Sequence, residues 1–526
     1  MVEGRANRYD AIVIGGGHNG LTCASYLARA GKRVVVLEKR RILGGAAVTE
    51  EIYPGFKFSV ASYVVSLLRP EIIRELDLVR HGLAVLPVDG TLTPLDDDYL
   101  WRVDDHGVTV RELRRWSKRD AEAYEEYSVL MAEMARFVKP LLGEAPGRPG
   151  ASPWVGLAKR FAALPESQQT TFIQLLTMSS ADFVSQWFET EPLRATLSAS
   201  GIIGTFLGPR SPGSAYVLLH HYMGEVDGEY RSWGLPVGGT GAISGAIGAA
   251  ARELGAEIRT DAPVARIKTR AGKATGVVLE SGEEISAPVV ISSADVRVTL
   301  GRLLESGTLA DDDAQAVSRY KFRGSSAKVN FALAGLPTFS CLPPGTTDVY
   351  RGMVSISPSV DYIERAYDDA VDGRFSRSPY IDMGFPSAID PSVAPPGKHV
   401  MACFVQYAPY ELAEGTWDSQ REALGDTVQA TIAKYAPGFE SLVLHRQTLT
   451  PLDIERTFGL SEGNIFQGEL LLEQLFSGRP TPGAGYTTPV RGLWLCGSST
   501  HPGGAISGAP GRNAAREVLR AWKRAS

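Results

Sequence analysis

Cysteine is scarce in this 526-residue chain: Cys23, Cys341, Cys403 and Cys496 are scattered and form no C-x-x-C pair. That spacing argues against a dithiol redox centre and against a zinc cluster. Cys23, inside the first helical stretch, reads as a small buried thiol, and few unpaired thiols fit a reducing, cytoplasmic setting. An excess of positive charge is missing too. Lys and Arg number 54 against 59 Asp and Glu, a net charge of −5, and the densest basic cluster, Lys32 to Arg41, is interrupted by an apolar run. Such a balance gives nucleic acid no general attraction, so the cluster reads as a solvated rim. No apolar run reaches the ~18 residues of a membrane span, and Met1 to Arg8 is too short and polar for a signal peptide. Peripheral membrane contact stays open.

What is present is ordinary globular composition, 44% hydrophobic and 21% charged, at a length that implies two or more domains. The stretch from Tyr9 to Glu38 organises the rest. Asp10-Ala11-Ile12-Val13-Ile14 predicts a buried strand, Gly15-Gly16-Gly17-His18-Asn19-Gly20 a tight turn, and Leu21 to Ala30 a helix closed by Gly31. Arg33 to Glu38 predicts a second buried strand ending in an acid, with Glu38 lying 18 positions after Gly20. Strand, G-x-G-x-x-G turn, helix and acid together form a dinucleotide fingerprint. Gly15 permits the turn, Gly17 lets backbone approach a pyrophosphate, and Gly20 lets the helix pack on the sheet. The anion sits at the helix N-terminus, where unpaired N–H groups face it. Glu38 would accept from the adenosine ribose hydroxyls and repel a 2'-phosphate, which argues against NADP.

Further along, Gly44-Gly45 again permits close backbone approach, Tyr53 to Ser59 reads as a turn into a strand, and Pro70 to Leu78 as a short helix. From Leu83 to Arg231 the texture is mostly helical: Ser117 to Val138, Ser152 to Leu164, Ser167 to Met178 and Ala181 to Phe188, broken at Gly143 to Pro153 and Gly208 to Gly213. Trp154, Val155, Leu157, Phe161 and Leu164 share helical spacing, which suits packing on a domain better than a membrane surface. Between Leu235 and Asp295 α/β texture returns, with a helix to Leu254, strands at Glu257 to Arg259, Ala262 to Lys268 and Val289 to Ile291, and a Gly276 to Glu280 strand paired with Glu284 to Ala287. The proline-led Pro236 to Gly241 turn lacks an upstream strand, so one dinucleotide is expected, not two. Residues 298–452 mix strands such as Ala327 to Leu333 and His399 to Tyr407 with a helix from Arg421 to Ala436, and carry no chemical motif. Leu493 to Gly497 predicts a last buried strand, followed by a glycine-rich loop to Gly508 and a helix from Ala509 to Lys523.

The Gly15 to Gly20 turn with Glu38, the Gly44-Gly45 pair, the Pro236 to Asp295 block and the tail Leu495-Cys496-Gly497-Ser498-Ser499-Thr500-His501-Pro502-Gly503-Gly504-Ala505 together resemble the phytoene desaturase family of FAD-dependent oxidoreductases. Leu460 to Gly483, with Gly463-Asn464-Ile465-Phe466 and Arg479-Pro480-Thr481-Pro482-Gly483, is similar to a subgroup named for a pyridine nucleotide–disulphide oxidoreductase domain, a name the missing C-x-x-C makes misleading here. The matches cover about half of the chain. The resemblance implies an α/β fold in which a discontinuous Rossmann-type FAD-binding domain (residues 1–82, 233–298 and 486–526) is interleaved with an α+β substrate domain (299–485) carrying a helical insertion (83–232). It also implies FAD as cofactor, with Gly15, Gly17, Asn19 and Gly20 on the pyrophosphate, Glu38 and its neighbour Lys39 near the ribose, and Gly44, Gly45, Ala46 and Ser62 along the diphosphate and flavin edge. Val264 would meet the adenine through its backbone, and Gly497 and Ser498 would line the ribityl region. Pro502 and Gly503 lead to Gly504-Ala505-Ile506, which would set a helix N-terminus against the flavin's N1/C2 oxygen side. Where related desaturases often carry an acid and a glycine before the flavin, this chain has Ser59 and Ala61.

The expected activity is hydride transfer between flavin N5 and a largely apolar, carotenoid- or isoprenoid-type substrate, with the electron acceptor left open between candidates such as a quinone and O2. Alternatives are an amine or porphyrinogen oxidase, a redox-neutral polyene isomerase, and a non-catalytic lipid-binding relative. His501 is the one titratable catalytic candidate in the tail, with a structural hydrogen bond the preferred reading. His18 reads as a packing or capping residue, and the His220-His221 pair lacks a nearby carboxylate, so no metal site is expected.

Overall fold

The structure is a computed structural model and describes residues 9–146, 152–226, 229–230, 232–481 and 483–525; Met1 to Arg8, Pro482 and residues 147–151 of the break at Gly143 to Pro153 lie outside them. Its first layer is a five-stranded, wholly parallel sheet in the order Glu257–Arg259, Val34–Leu37, Ala11–Ile14, Val289–Ser292, Leu493–Leu495. These strands are short apolar runs because both faces are covered. Helices His18–Arg29, Gly241–Glu253 and Ala509–Ala525 share one hydrophobic cluster with one face. A three-stranded antiparallel sheet, Val264–Arg270, Lys273–Leu279 and Glu284–Ser286, contributes to the cluster on the other.

The second layer is a seven-stranded sheet in the order Val443–Leu449, Ser326–Leu333, His399–Gln406, Tyr380–Gly384, Met353–Ile356, Gly90–Pro94, Tyr99–Val103. Its last two strands lie inside residues 83–232, the stretch read as mostly helical, and correct that reading there. Gly90–Pro94 finds its parallel partner at Met353–Ile356, more than 250 residues away, and no local pattern announces such a pairing. Val85–Pro87 likewise pairs with Gly234–Pro236. Apart from a short antiparallel pair, Glu225–Val226 with Glu229–Tyr230, the regular structure in the remainder of that stretch is helical as read, with His106–Trp116, Glu191–Ser198 and Ser214–Tyr222 added. Ser117 caps Lys118–Val138 by accepting from Asp120 N at 3.2 Å. Leu157 and Phe161 pack on the helical core; the side chains of Trp154 and Val155 lie outside the described residues. Among the described residues no helix is long and apolar enough to cross a membrane.

Strict alternation divides the seven-stranded sheet into two unlike faces. Ala327, Val329, Phe331, Met401, Cys403, Val405, Ile381 and Met383 share a cluster with Leu424, Val428 and Ile432 of helix Trp417–Tyr435. Opposite them, the register aligns Lys328, Phe404 and Asp382 in one row, then Met353, Thr91 and Arg102 in the next. This second face is buried and polar.

Candidate functional site

A cleft runs along the C-terminal ends of the parallel strands, where open α/β sheets place their ligands. Gly15, Glu38 and Ser293 each follow directly on a strand, and Ser498 comes shortly after the last one; all four line the cleft, with Gly17, Asn19, Lys39, Gly44, Gly45, Ala46 and Val264. Its glycines are of two kinds. A Cβ on Gly20 would fall 2.1 Å from Gly15 O, so that glycine serves helix packing, while a Cβ on Gly17 would meet nothing nearer than Gly44 O at 3.9 Å. The protein itself has no need of Gly17 as a glycine; the free space there is ligand space. Gly44 closes the cradle by donating its N–H to Gly16 O at 2.9 Å.

Glu38 is buried and anchored: Oε2 accepts from Gly16 N at 2.7 Å and Oε1 from Arg40 N at 2.9 Å, which leaves each oxygen a second lone pair toward the cleft. Asn19 Nδ2 donates to Ser498 Oγ at 3.0 Å, tying the first turn to the tail loop across 479 residues. Asn19 Oδ1 and His18 Nε2 are buried without a protein partner, and both residues line the cleft, where a bound ligand would complete them. His18 borders both this cleft and the cavity beside it, and burial holds its imidazole down to about 4.

The tail loop acts partly at one remove. A Cβ on Gly497 would meet Ser293 O at 2.4 Å, one on Gly504 would meet the Phe466 ring at 2.1 Å, and Gly503 has φ +110° beside Leu470 and Arg479. These glycines, with buried Pro502, shape the loop, whereas Ser498, Ala505 and Ile506 reach the cavity walls. The last helix begins at Ala509, where the sequence predicts it, so Gly504-Ala505-Ile506, which the resemblance set at a helix N-terminus, lies before its first turn, with Ala505 at φ 86°. His501 turns away from cleft and cavity: its buried Nε2 donates to Leu141 O at 2.8 Å, and burial holds it neutral, at about 4. That geometry gives His501 a bracing role and removes it as a proton carrier. Behind the loop lies fully buried Arg479, whose guanidinium donates to the carbonyls of Ser498 (3.0 Å), Glu469 (3.0 Å), Phe466 (2.8 Å) and Gly468 (2.9 Å).

A second cavity opens where the cleft meets Ala46, Ser498 and Ile465, which border both. Ala61, Val64, Val65, Leu67, Ile203, Phe404 and Phe466 make its wall apolar, and Ser62 lines it while donating to Ala46 O at 2.8 Å. Ser59 lies deeper, accepting from Thr240 N at 3.0 Å. His221 also faces the cavity; Nδ1 donates to Val217 O at 2.8 Å, and its ring stacks on Trp233 at 5.9 Å. Two polar residues that escaped the sequence reading, Lys328 and Tyr63, also line it, each bonded to a polar partner behind the wall. Lys328 Nζ donates to Asn330 Oδ1 at 2.7 Å, and burial pushes the ammonium down to about 7. Tyr63, also in the wall, donates its hydroxyl to Asp382 Oδ2 at 2.7 Å, while burial lifts that carboxyl to about 7. The available signal was a Lys and an Asn at alternate positions of an otherwise apolar strand, Ser326–Leu333.

A glycine-lined dinucleotide cleft meeting an apolar cavity bordered by a second sheet defines a dinucleotide-dependent oxidoreductase. The comparisons narrow this. Residues 20–519 match the model of the flavin containing amine oxidoreductase family. Pyridine nucleotide-disulfide oxidoreductase domain-containing protein 2 of Rattus norvegicus is 40% identical over 98% of this chain and 94% of its own length. One of the subunits of the limonene dehydrogenase of Castellaniella defragrans is 28% identical over 97% of this chain and 94% of its own. Among solved structures, a redesigned putrescine oxidase superposes with a TM-score of 0.61 at 16% identity, covering 98% of this chain and 99% of that one, a likeness of fold alone. The chain belongs to the flavin containing amine oxidoreductase family, its cofactor is FAD, and its likeness to the phytoene desaturases is a relationship within that family.

Proposed function

We propose that this flavoprotein oxidises or reduces a carbon–carbon bond of an apolar, isoprenoid-type substrate. The observation that carries this is the wall of the second cavity, aliphatic and aromatic where it adjoins Ala46, Ser62, Ala505 and Ile506. A relative named for limonene, an isoprenoid, at 28% identity supports the same substrate class. Gly15, Gly17 and Asn19 would hold the pyrophosphate of FAD, Glu38 its ribose, and Gly44 to Ala46, Ser62, Ser498, Ala505 and Ile506 its flavin half. When bound, FAD supplies the hydride acceptor or donor. The apolar wall excludes water and orients the substrate, which is the protein's main contribution to such chemistry. Lys328 Nζ, with a proton affinity near neutrality, holds or releases a proton at the wall of this cavity.

The test is anaerobic mixing of the purified yellow protein with matched candidates. Bleaching of the flavin bands by an isoprenoid alkene or alcohol, with putrescine inert, is expected. Bleaching by putrescine with isoprenoids inert overturns the reading in favour of an amine oxidase.

A further inference from the structure

Beyond Trp233 lies a third cavity that the flavin chemistry leaves unused. Trp233 forms part of its wall and part of the apolar cavity's wall, so the two adjoin. Their linings differ sharply: this one is made by Thr91, Tyr124, Ser128, Ser200 and Ser232 around Arg102. Arg102 stands on the edge strand Tyr99–Val103, opposite Thr91, on the same sheet face as Lys328. The residue is about nine-tenths buried. Among the described residues its one side-chain hydrogen bond is from Nη2 to Thr196 Oγ1 at 3.5 Å, the limit for such a contact. No carboxylate among them lies within ion-pair distance, and the other guanidinium N–H groups are left to the cavity. Asp104 and His106 also border the cavity but are solvent-exposed, at its rim. Guanidinium N–H groups that no protein atom occupies and that open on a cavity can take an anion, and their planar fork suits a carboxylate.

We infer that Arg102 binds the carboxylate of a long-chain apolar acid whose hydrocarbon part reaches across the sheet face, past Trp233, to the flavin side of the apolar cavity. This rests on the reading of an isoprenoid-type substrate and specifies its far end. The dimensions agree: the strands bearing Lys328 and Arg102 are five spacings apart, roughly 24 Å, a span for an extended chain. Among the described residues a single guanidinium lines this cavity, with hydroxyls around it, which matches one negative charge and not a diphosphate.

The experiment compares geranylgeranoic acid with geranylgeraniol on the FAD-loaded protein, by titration calorimetry and by perturbation of the flavin spectrum. The acid is expected to bind about ten- to a hundred-fold more tightly than the alcohol, the range of a buried charge-assisted hydrogen bond. Arg102→Gln should abolish that preference while leaving alcohol affinity and flavin content unchanged, and Arg102→Lys should keep part of it. Equal affinities in the unmodified protein, or a preference that survives Arg102→Gln, overturn the inference and leave the isoprenoid reading standing. Tighter binding of geranylgeranyl diphosphate than of the acid overturns the single-charge assignment. Binding of none of the three overturns the isoprenoid reading together with the inference. The unmodified protein decides between acid and alcohol even if the Gln variant fails to fold.

Discussion

The nucleotide cleft and the cavity beside it are built by opposite means. In the cleft the walls are largely backbone, and what matters is where side chains are missing: Gly17, Gly44 and Gly45 make room, and Glu38 is the main charged side chain, anchored by two backbone N–H groups. In the cavity everything depends on side chains, drawn from strands tens of residues apart and aligned only by register: Lys328 beside Phe404 beside Asp382. A backbone-built site tolerates one ligand shape and leaves a spaced motif in the sequence. A register-built site can change its ligand by point substitution and leaves no motif.

The contrast breaks most severely if the cleft's glycines are interchangeable. Gly20→Ala places a Cβ 2.1 Å from Gly15 O, so the variant should lose several kcal/mol of stability and its flavin with it. Gly17→Val, aimed into open space, should fold with nearly the parental melting temperature yet purify colourless, with FAD affinity down at least about a hundred-fold. Melting curves beside the ratio of flavin to protein absorbance separate the two; equal destabilisation by both would erase the distinction. Next in size, Arg479→Met strands four buried carbonyl acceptors, at a cost of about 3 kcal/mol or more in chemical denaturation.

Lys328→Met tests the cavity side. Burial sets the folded-state proton affinity of Lys328 near 7, below the 10.5 of the unfolded chain. The folded state therefore bears the full cost of the buried ammonium below pH 7, and that cost fades as pH rises from about 7 to 10.5. The substitution should accordingly raise stability by a few kcal/mol at pH 6, and by progressively less above pH 7, with flavin content unchanged; a gain that is flat with pH would refute it. Phe404→Ala should weaken isoprenoid binding about ten-fold and leave FAD binding intact. Smallest of all, His501→Gln, which can still donate toward Leu141 O, should shift the melting temperature by no more than a few degrees and leave the pH profile of turnover in place. A displaced profile would restore His501 as a proton carrier.

This contrast also explains what could be read from the residues alone. The fingerprint from Tyr9 to Glu38 and the strand at Leu493 lie within short windows where spacing carries geometry, and the strands appear within a residue or two of where that spacing predicts. Gly90–Pro94 and Tyr99–Val103 were hidden in helical surroundings because their partner is so distant. Lys328, Asp382 and Arg102 were invisible as a group, since only sheet register places them on one face. The tail was legible as a ligand loop, but which of its glycines face the ligand and which face Phe466 or Ser293 is a matter of packing.

The parallel sheet interleaves its strands from both ends of the chain, with Leu493–Leu495 beside Val289–Ser292 and Ser498 joined to Asn19. A ribosome that has released the fingerprint has therefore released only half a grip, and the growing polypeptide stays without its coenzyme until nearly five hundred residues have emerged. FAD supply should then govern the last stage of maturation: in riboflavin-starved cells the early helices would be formed, while the final strand and loop would be the first to reach a protease.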